Sequence, residues 1–178
     1  MKRALLVLAS AAACACSTKT PPKEAAVAPA ALQFAADGTV RRLRFDGGAL
    51  WFCDARGSHR ADLSGGPVTG DNTPCPPPQE PNAGCGIANL DVSVRSPQSE
   101  PNDIVDLKTS SFPLTGRVHD CAAAGNHLVV GTGSAVFLID TVKNTMKTIS
   151  SDGSDRVAVS ENWVAWVEAS SVHMARAD

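Results

Sequence analysis

Thiols are the most reactive groups in this sequence, and six cysteines are spread along its 178 residues. Cys14 and Cys16 stand near the start, while Cys53, Cys75, Cys85 and Cys121 lie in the body. Zinc sites built from thiolates need short paired spacings such as C-x-x-C. Here the nearest pair in the body is Cys75 and Cys85, and His119 beside Cys121 would add only one ligand. The set is incomplete for a metal. An even count in an exported chain points instead to two disulfides, with three pairings open.

The other groups capable of chemistry are scattered. His59, His119, His127 and His173 form no H-E-x-x-H and no pair four apart. A G-x-S-x-G elbow is missing from the sequence. Gly131-Thr132-Gly133 is followed by Val136-Phe137-Leu138-Ile139, a strand pattern. A phosphate fingerprint needs a helix there, so the glycines read as a hairpin turn. Asp152-Gly153-Ser154-Asp155 is too short for a calcium loop. Asp91 and Asp120 read as solvated acids at strand ends. These residues give no catalytic constellation and call for no cofactor.

The N-terminus has the make-up of an export signal. Lys2 and Arg3 precede an apolar run beginning Ala4-Leu5-Leu6-Val7-Leu8-Ala9, and small residues lead to Cys14-Ala15-Cys16. The apolar stretch is too short to span a bilayer, which takes about 20 residues. Ala11-Ala12-Ala13 and Ala13-Cys14-Ala15 both suit a signal peptidase. The segment also resembles the lipobox of bacterial lipoproteins, in which a small residue precedes the modified cysteine. Alanine stands where that motif usually has leucine, three places before the cysteine.

The resemblance implies a lipid anchor on Cys16, with Cys14 as the alternative and simple secretion after Ala13 or Ala15 as the other outcome. Ser17 after the cysteine implies the outer membrane. Residues 1–15 are then the signal peptide and 16–30 a flexible tether, since Ser17–Lys23 holds two prolines and no large apolar side chain. Losing Lys2 and Arg3 moves the net charge from −2 to −4. That balance argues against nucleic acid as a partner.

Residues 31–178 form one domain. Glycine (14) and proline (12) are frequent, and no long stretch carries apolar residues at helical spacing, so the fold class is all-β. Three stretches repeat a strand, a polar turn and a second strand: 42–53, 120–131 and 156–167. Gly47-Gly48, Gly125-Asn126 and Glu161-Asn162 occupy the turns, where residues tolerating positive φ are wanted. A degenerate copy, Cys85 to Val94, fills the gap. Leu43, Cys85, Cys121 and Val157 then recur at spacings of 42, 36 and 36. About 40 residues make a four-stranded propeller blade. The expectation is a small, about four-bladed, or partial β-propeller with units near 37–78, 79–114, 115–150 and 151–178. In the third unit, 135–140 and 145–149 read as the third and outer strands.

Leu50-Trp51-Phe52-Cys53-Asp54, followed by Arg60-Ala61-Asp62-Leu63-Ser64-Gly65-Gly66, resembles the YWTD-type propeller repeat. Trp51-Phe52 replaces Tyr-Trp, Cys53 replaces Thr, and only the first unit carries the motif well. The resemblance implies a protein-binding propeller and brings no catalytic residues.

The chain stops where one more outer strand is owed. Ala31-Leu32-Gln33-Phe34-Ala35 has the alternation to supply it; a truncated propeller with a free edge is the alternative. The repeat favours Cys53–Cys75 with Cys85–Cys121, because Cys53–Cys121 would skip a unit. Trp163 and Trp166, three apart on one strand, should face opposite ways. The stretch from Gly66 to Pro101 holds eight of the twelve prolines and is the expected site of partner contacts.

The functional expectation is a non-catalytic protein- or ligand-binding scaffold in the cell envelope, held to the membrane by a lipid anchor and contacting another envelope protein. The competing class is a secreted propeller enzyme, lactonase or lyase in type, with a metal in a central channel. The residues at the strand starts, Arg42, Gly84, Asp120 and Arg156, do not make a ligand set for one.

Overall fold

A computed structural model describes residues 32–64, 67–71, 74–78, 80–87 and 90–178. Cys14, Cys16, the signal segment and the tether lie outside the described residues. Fifteen strands and no helix make up the described chain. They are β1 (Leu32–Ala35), β2 (Arg42–Asp46), β3 (Ala49–Cys53), β4 (Ser58–Asp62) and β5 (Thr69–Asp71). Then come β6 (Val92–Arg95), β7 (Ile104–Leu107), β8 (Ser110–Pro113), β9 (Val118–Ala124) and β10 (His127–Thr132). The last are β11 (Val136–Asp140), β12 (Thr145–Ser150), β13 (Val157–Val159), β14 (Trp163–Glu168) and β15 (Ser171–Arg176). The protein is all-β.

The strands form four small antiparallel sheets. Sheet one is β2-β3-β4-β5, sheet two β6-β7-β8, sheet three β9-β10-β11-β12, and sheet four β13-β14-β15-β1. Sheets one, three and four begin with the three hairpins seen in the sequence. Gly47 and Gly48 both have positive φ (56° and 80°), which a two-residue hairpin turn requires. The turn at Glu161-Asn162 is made differently. Neither residue has positive φ; the Ser160 N–H donates to the Trp163 carbonyl at 2.7 Å, and the Ser160 hydroxyl accepts the Trp163 N–H.

Residues Leu32–Ala35 take the place owed at the end of the last sheet. β1 pairs antiparallel with β15, Phe34 opposite Val172, so the first described strand borders the last. The expected hairpin from Cys85 to Val94 does not form. Cys85 sits in a left-handed turn (φ 49°), its N–H bonded to the Asn82 carbonyl, and Val92–Arg95 is the first strand of a three-stranded sheet. Pro81, Gly84 and Gly86 crowd this segment, and such residues do not sustain a ladder.

Three buried clusters hold the sheets together, each between two of them. Leu128, Val130 and Phe137 of sheet three meet Val105 and Phe112 of sheet two. Val129 and Leu138 on the other face of sheet three meet Val164 and Trp166 of sheet four. Ala158, Ala165 and Met174, on the remaining face of sheet four, meet Leu43, Leu50 and Phe52 of sheet one. Trp163 packs into the last cluster and Trp166 into the middle one, on opposite faces as their spacing requires.

The segments joining sheets are pinned by buried polar groups. Asp103, before β7, accepts the Val118 N–H at 2.8 Å and Arg117 Nη1 at 2.6 Å. Asp120 on β9 accepts the N–H groups of Asn82 (2.8 Å) and Val157 (3.1 Å), tying the segment before sheet two, sheet three and sheet four at one carboxylate. The Val118 and Val157 bonds each satisfy a backbone donor that would otherwise be buried alone.

Candidate functional site

The three clusters define a rule for the outward row of each sheet. In sheet three Ala122, Val129 and Leu138 stand opposite one another across β9, β10 and β11. In sheet four the corresponding row is Ala158, Ala165 and Met174. Both rows are apolar and both seal a sheet against its neighbour. In sheet one the same row is Arg44, Trp51 and Arg60. It belongs to none of the clusters. Its arginines are exposed and Trp51 is half-buried.

The row forms one side of a site. The Arg60 guanidinium lies over the Trp51 ring at 5.5 Å from its centroid, a cation–π contact. Arg44 Nη2 is 3.5 Å from Asp46 Oδ2, with both side chains about 60% exposed, so the pair is weak and easily displaced. Arg42, in the adjacent row, donates from Nε to the Pro77 carbonyl at 3.0 Å. Cys53 lies at disulfide distance from Cys75, with Cα atoms 5.8 Å apart. That link places Pro74 and Pro76 over the sheet, and they close a groove of about 310 Å³ with Arg42, Arg44 and Trp51.

Sheet two is also polar on the face away from its cluster. Ser93, Asp106 and Ser111 are opposite one another across β6, β7 and β8. Asp106 is already engaged by Arg95 at 3.0 and 3.3 Å and by the Ser111 hydroxyl. The Arg95 bond first, then Ser111, hold its carboxyl below the usual carboxylate value. Among the described residues, sheets one and two therefore share no apolar cluster. The proline-rich segment runs between them, linked to sheet one at Cys75 and to sheet three at Cys85, which lies at disulfide distance from Cys121. These are the pairs the repeat favours.

The other sequence candidates fall elsewhere. Arg42, Asp120 and Arg156 line one cavity of about 220 Å³ with Glu80, where β2, β9 and β13 run together; Gly84 does not reach it. Asp91 is exposed just before β6. Thr132 is fully buried, and its hydroxyl donates to the Thr115 carbonyl at 2.7 Å, so the Gly131–Gly133 turn is structural. His119 Nδ1 lies 2.6 Å from Asp155 Oδ1 at an exposed position. His59 and His173 stack on Phe52 and Trp166. His127 stays apart from the other histidines at the start of β10. Among the described residues no three His, Cys, Asp or Glu side chains gather as a metal-holding group.

The Arg44–Trp51–Arg60 row was not picked out from the sequence, where Trp51 figures only as a repeat-motif residue. Its signal is present: Arg42, Arg44 and Asp46 alternate with Leu43 and Phe45. What the alternation cannot say is which cross-strand partners complete the row.

No known family model matches the chain, and no curated protein matches it. Among solved structures the chain is similar to the computationally designed Ika4 protein, at 13% identity and a TM-score of 0.30, over 78% of this chain and 91% of that one. It is also similar to the N-terminal domain of Nup159, at 13% identity and a TM-score of 0.28, over 75% of this chain and 40% of that one.

Proposed function

We propose that the four sheets are the blades of a small propeller, unsealed between sheets one and two, and that the protein is a non-catalytic binding scaffold of the cell envelope. The signal segment and the cysteine at position 16 support export with a lipid anchor, and two cysteine pairs at disulfide distance are compatible with an oxidising compartment. One observation carries the binding role. At the row where two other sheets place Ala-Val-Leu and Ala-Ala-Met in a core, sheet one carries exposed Arg44 and Arg60 on either side of a half-buried Trp51. Arginine and tryptophan are the residues that most often anchor recognition, and placing them here forgoes apolar burial.

Photo-crosslinking from position 46, beside the row, in intact cells tests the binding role. The expected result is one discrete adduct that is lost in Arg44→Ala and Arg60→Ala variants of unchanged abundance. Adducts indifferent to both substitutions would overturn it. Anchoring is tested separately: Cys16→Ser abolishes lipid labelling and releases the protein, whereas the same effect from Cys14→Ser alone moves the anchor two residues.

A further inference from the structure

We infer that the groove on sheet one takes a carboxylate-bearing saccharide, such as a uronate unit of an anionic glycan; this rests on the groove being a binding site. Four observations lead to that class. First, the groove carries positive charge: Arg42 and Arg44 line it, and Arg60 projects from the same face beside it, over Trp51, although the chain as a whole is acidic. A guanidinium presents a planar fork that matches a carboxylate, and Arg44 has only an exposed aspartate to give up.

Second, an aromatic ring stands between two of those arginines in register across three strands. A sugar ring lays its C–H face on such a platform while its carboxylate reaches a flanking guanidinium. Third, the volume of about 310 Å³ lies at the small end of the range for ligand pockets and suits one or two rings rather than a folded surface. Fourth, Val142 is the single large apolar side chain that is strongly exposed among the described residues, and it lies elsewhere, on the turn after β11. At the groove Trp51 is half-buried and Phe52 buried, so it presents no fully exposed apolar anchor of the kind that centres a protein interface.

The wall of the groove is fixed rather than adaptable. Cys53 is buried on sheet one, and its partner Cys75 stands between Pro74 and Pro76, which line the site. The Arg42 bond to the Pro77 carbonyl holds the same stretch a second time. Proline walls cost little conformational entropy when a ligand enters, which favours a small rigid ligand.

The test titrates the full-length chain in detergent with trigalacturonate, with its methyl ester, and with a glutamate hexapeptide, following heat and tryptophan fluorescence. The expected result is binding of trigalacturonate, at least about tenfold weaker binding of the ester, and a loss of roughly tenfold in Arg44→Ala and in Arg60→Ala, the scale of a charge-assisted hydrogen bond. Trp51→Phe should keep part of the affinity and Trp51→Ala lose it. Both arginines are exposed, so unchanged circular dichroism in their variants separates lost binding from lost folding. Equal binding of acid and ester would overturn the carboxylate. Binding of the hexapeptide alone, abolished by the same arginine variants, would overturn the saccharide while leaving the binding face standing. No binding by any probe would overturn the inference, and the crosslinking experiment then decides independently whether the face binds at all.

Discussion

Asp54 holds the ring of His59: its Oδ1 lies 2.7 Å from the histidine Nε2, and that imidazole is stacked on Phe52 at 4.8 Å. The same arrangement recurs in sheet four, where His173 stacks on Trp166 at 5.4 Å and Glu168 stands 3.9 Å from its Nε2. Acid and histidine are five residues apart in both. In sheet three Thr132 and Phe137 occupy these places, and the threonine hydroxyl reaches back to Thr115 just as Asp54 reaches the N–H of Asp37. The repeated element is thus a polar group at the end of the second strand that grips the segment arriving from the preceding sheet.

The two copies should differ in their contribution to stability. Asp54 is buried and also accepts the Arg56 N–H, so Asp54→Ala leaves two backbone donors and the His59 ring without an acceptor. We expect a loss of about 2–3 kcal/mol, the scale of unsatisfied buried groups. Glu168 is half-exposed, stands farther from its histidine and accepts only side-chain donors, Ser150 Oγ and Trp166 Nε1, both at 3.3 Å, so Glu168→Ala should cost about 1 kcal/mol, less than the first. Urea unfolding of both variants measures the contrast, and equal effects would mean that Asp54 is not a clamp.

Acid should act through the same clamps. Burial is the largest influence on Asp54 and on Asp103 and would raise both carboxyls. It is outweighed by the backbone N–H of Asp37 with His59 and Arg56 at the first, and by the Val118 N–H with Ser96 and Arg117 at the second. Both therefore sit below the ordinary value of 3.8. A lowered folded-state pKa gives stability that is fully present above the unfolded value and is lost as pH falls through the folded one. The melting temperature should thus fall as pH drops below about 4. Asp54→Asn and Asp103→Asn should each flatten that slope, which calorimetry between pH 6 and 2 would show.

The hairpins of sheets one, three and four were legible in the sequence because each buries the face turned to the preceding sheet, and Leu43, Cys121 and Val157 mark that face by type and position. Their turns were legible where glycine is needed for positive φ and less so at Glu161-Asn162, where a serine hydroxyl substitutes for backbone freedom. The second sheet was not, because the spacing of Cys85 is right while its neighbours cannot form a ladder. Cys85 reaches Cys121 from a turn, not from a strand. The groove escaped because Arg44, Trp51 and Arg60 meet only through cross-strand register, which no window of sequence contains.

The cysteine pairs carry their own expectation. Cys85 and Cys121 are both buried in the cluster between sheets two and three, 36 residues apart in sequence. Replacing both by serine should cost about 2–4 kcal/mol, the range for a disulfide closing a loop of this size. Cys53 and Cys75 enclose a shorter segment at the surface of sheet one, and their loss should open the groove more than it destabilises the fold. Non-reducing peptide mapping should yield the 53–75 and 85–121 links. A peptide joining 75 to 85 would contradict the geometry at both ends of the proline-rich segment.

The sharpest test of the row is to exchange it. Arg44→Ala, Trp51→Val and Arg60→Leu together give sheet one the residues that sheet three carries at Ala122, Val129 and Leu138. In sheet three that row is buried because sheet four covers it. If sheet two covered sheet one in the same way, the exchange would bury new apolar surface and raise the stability of the monomer. Among the described residues no cluster joins those sheets, so we expect the opposite. The triple variant should gain no stability in urea and should self-associate, since a contiguous apolar face seeks cover wherever it can find it. Sedimentation velocity across a concentration series distinguishes the outcomes. A monomer stabilised by more than about 1 kcal/mol, the scale of burying one or two methylenes, would show that the first and second sheets are sealed.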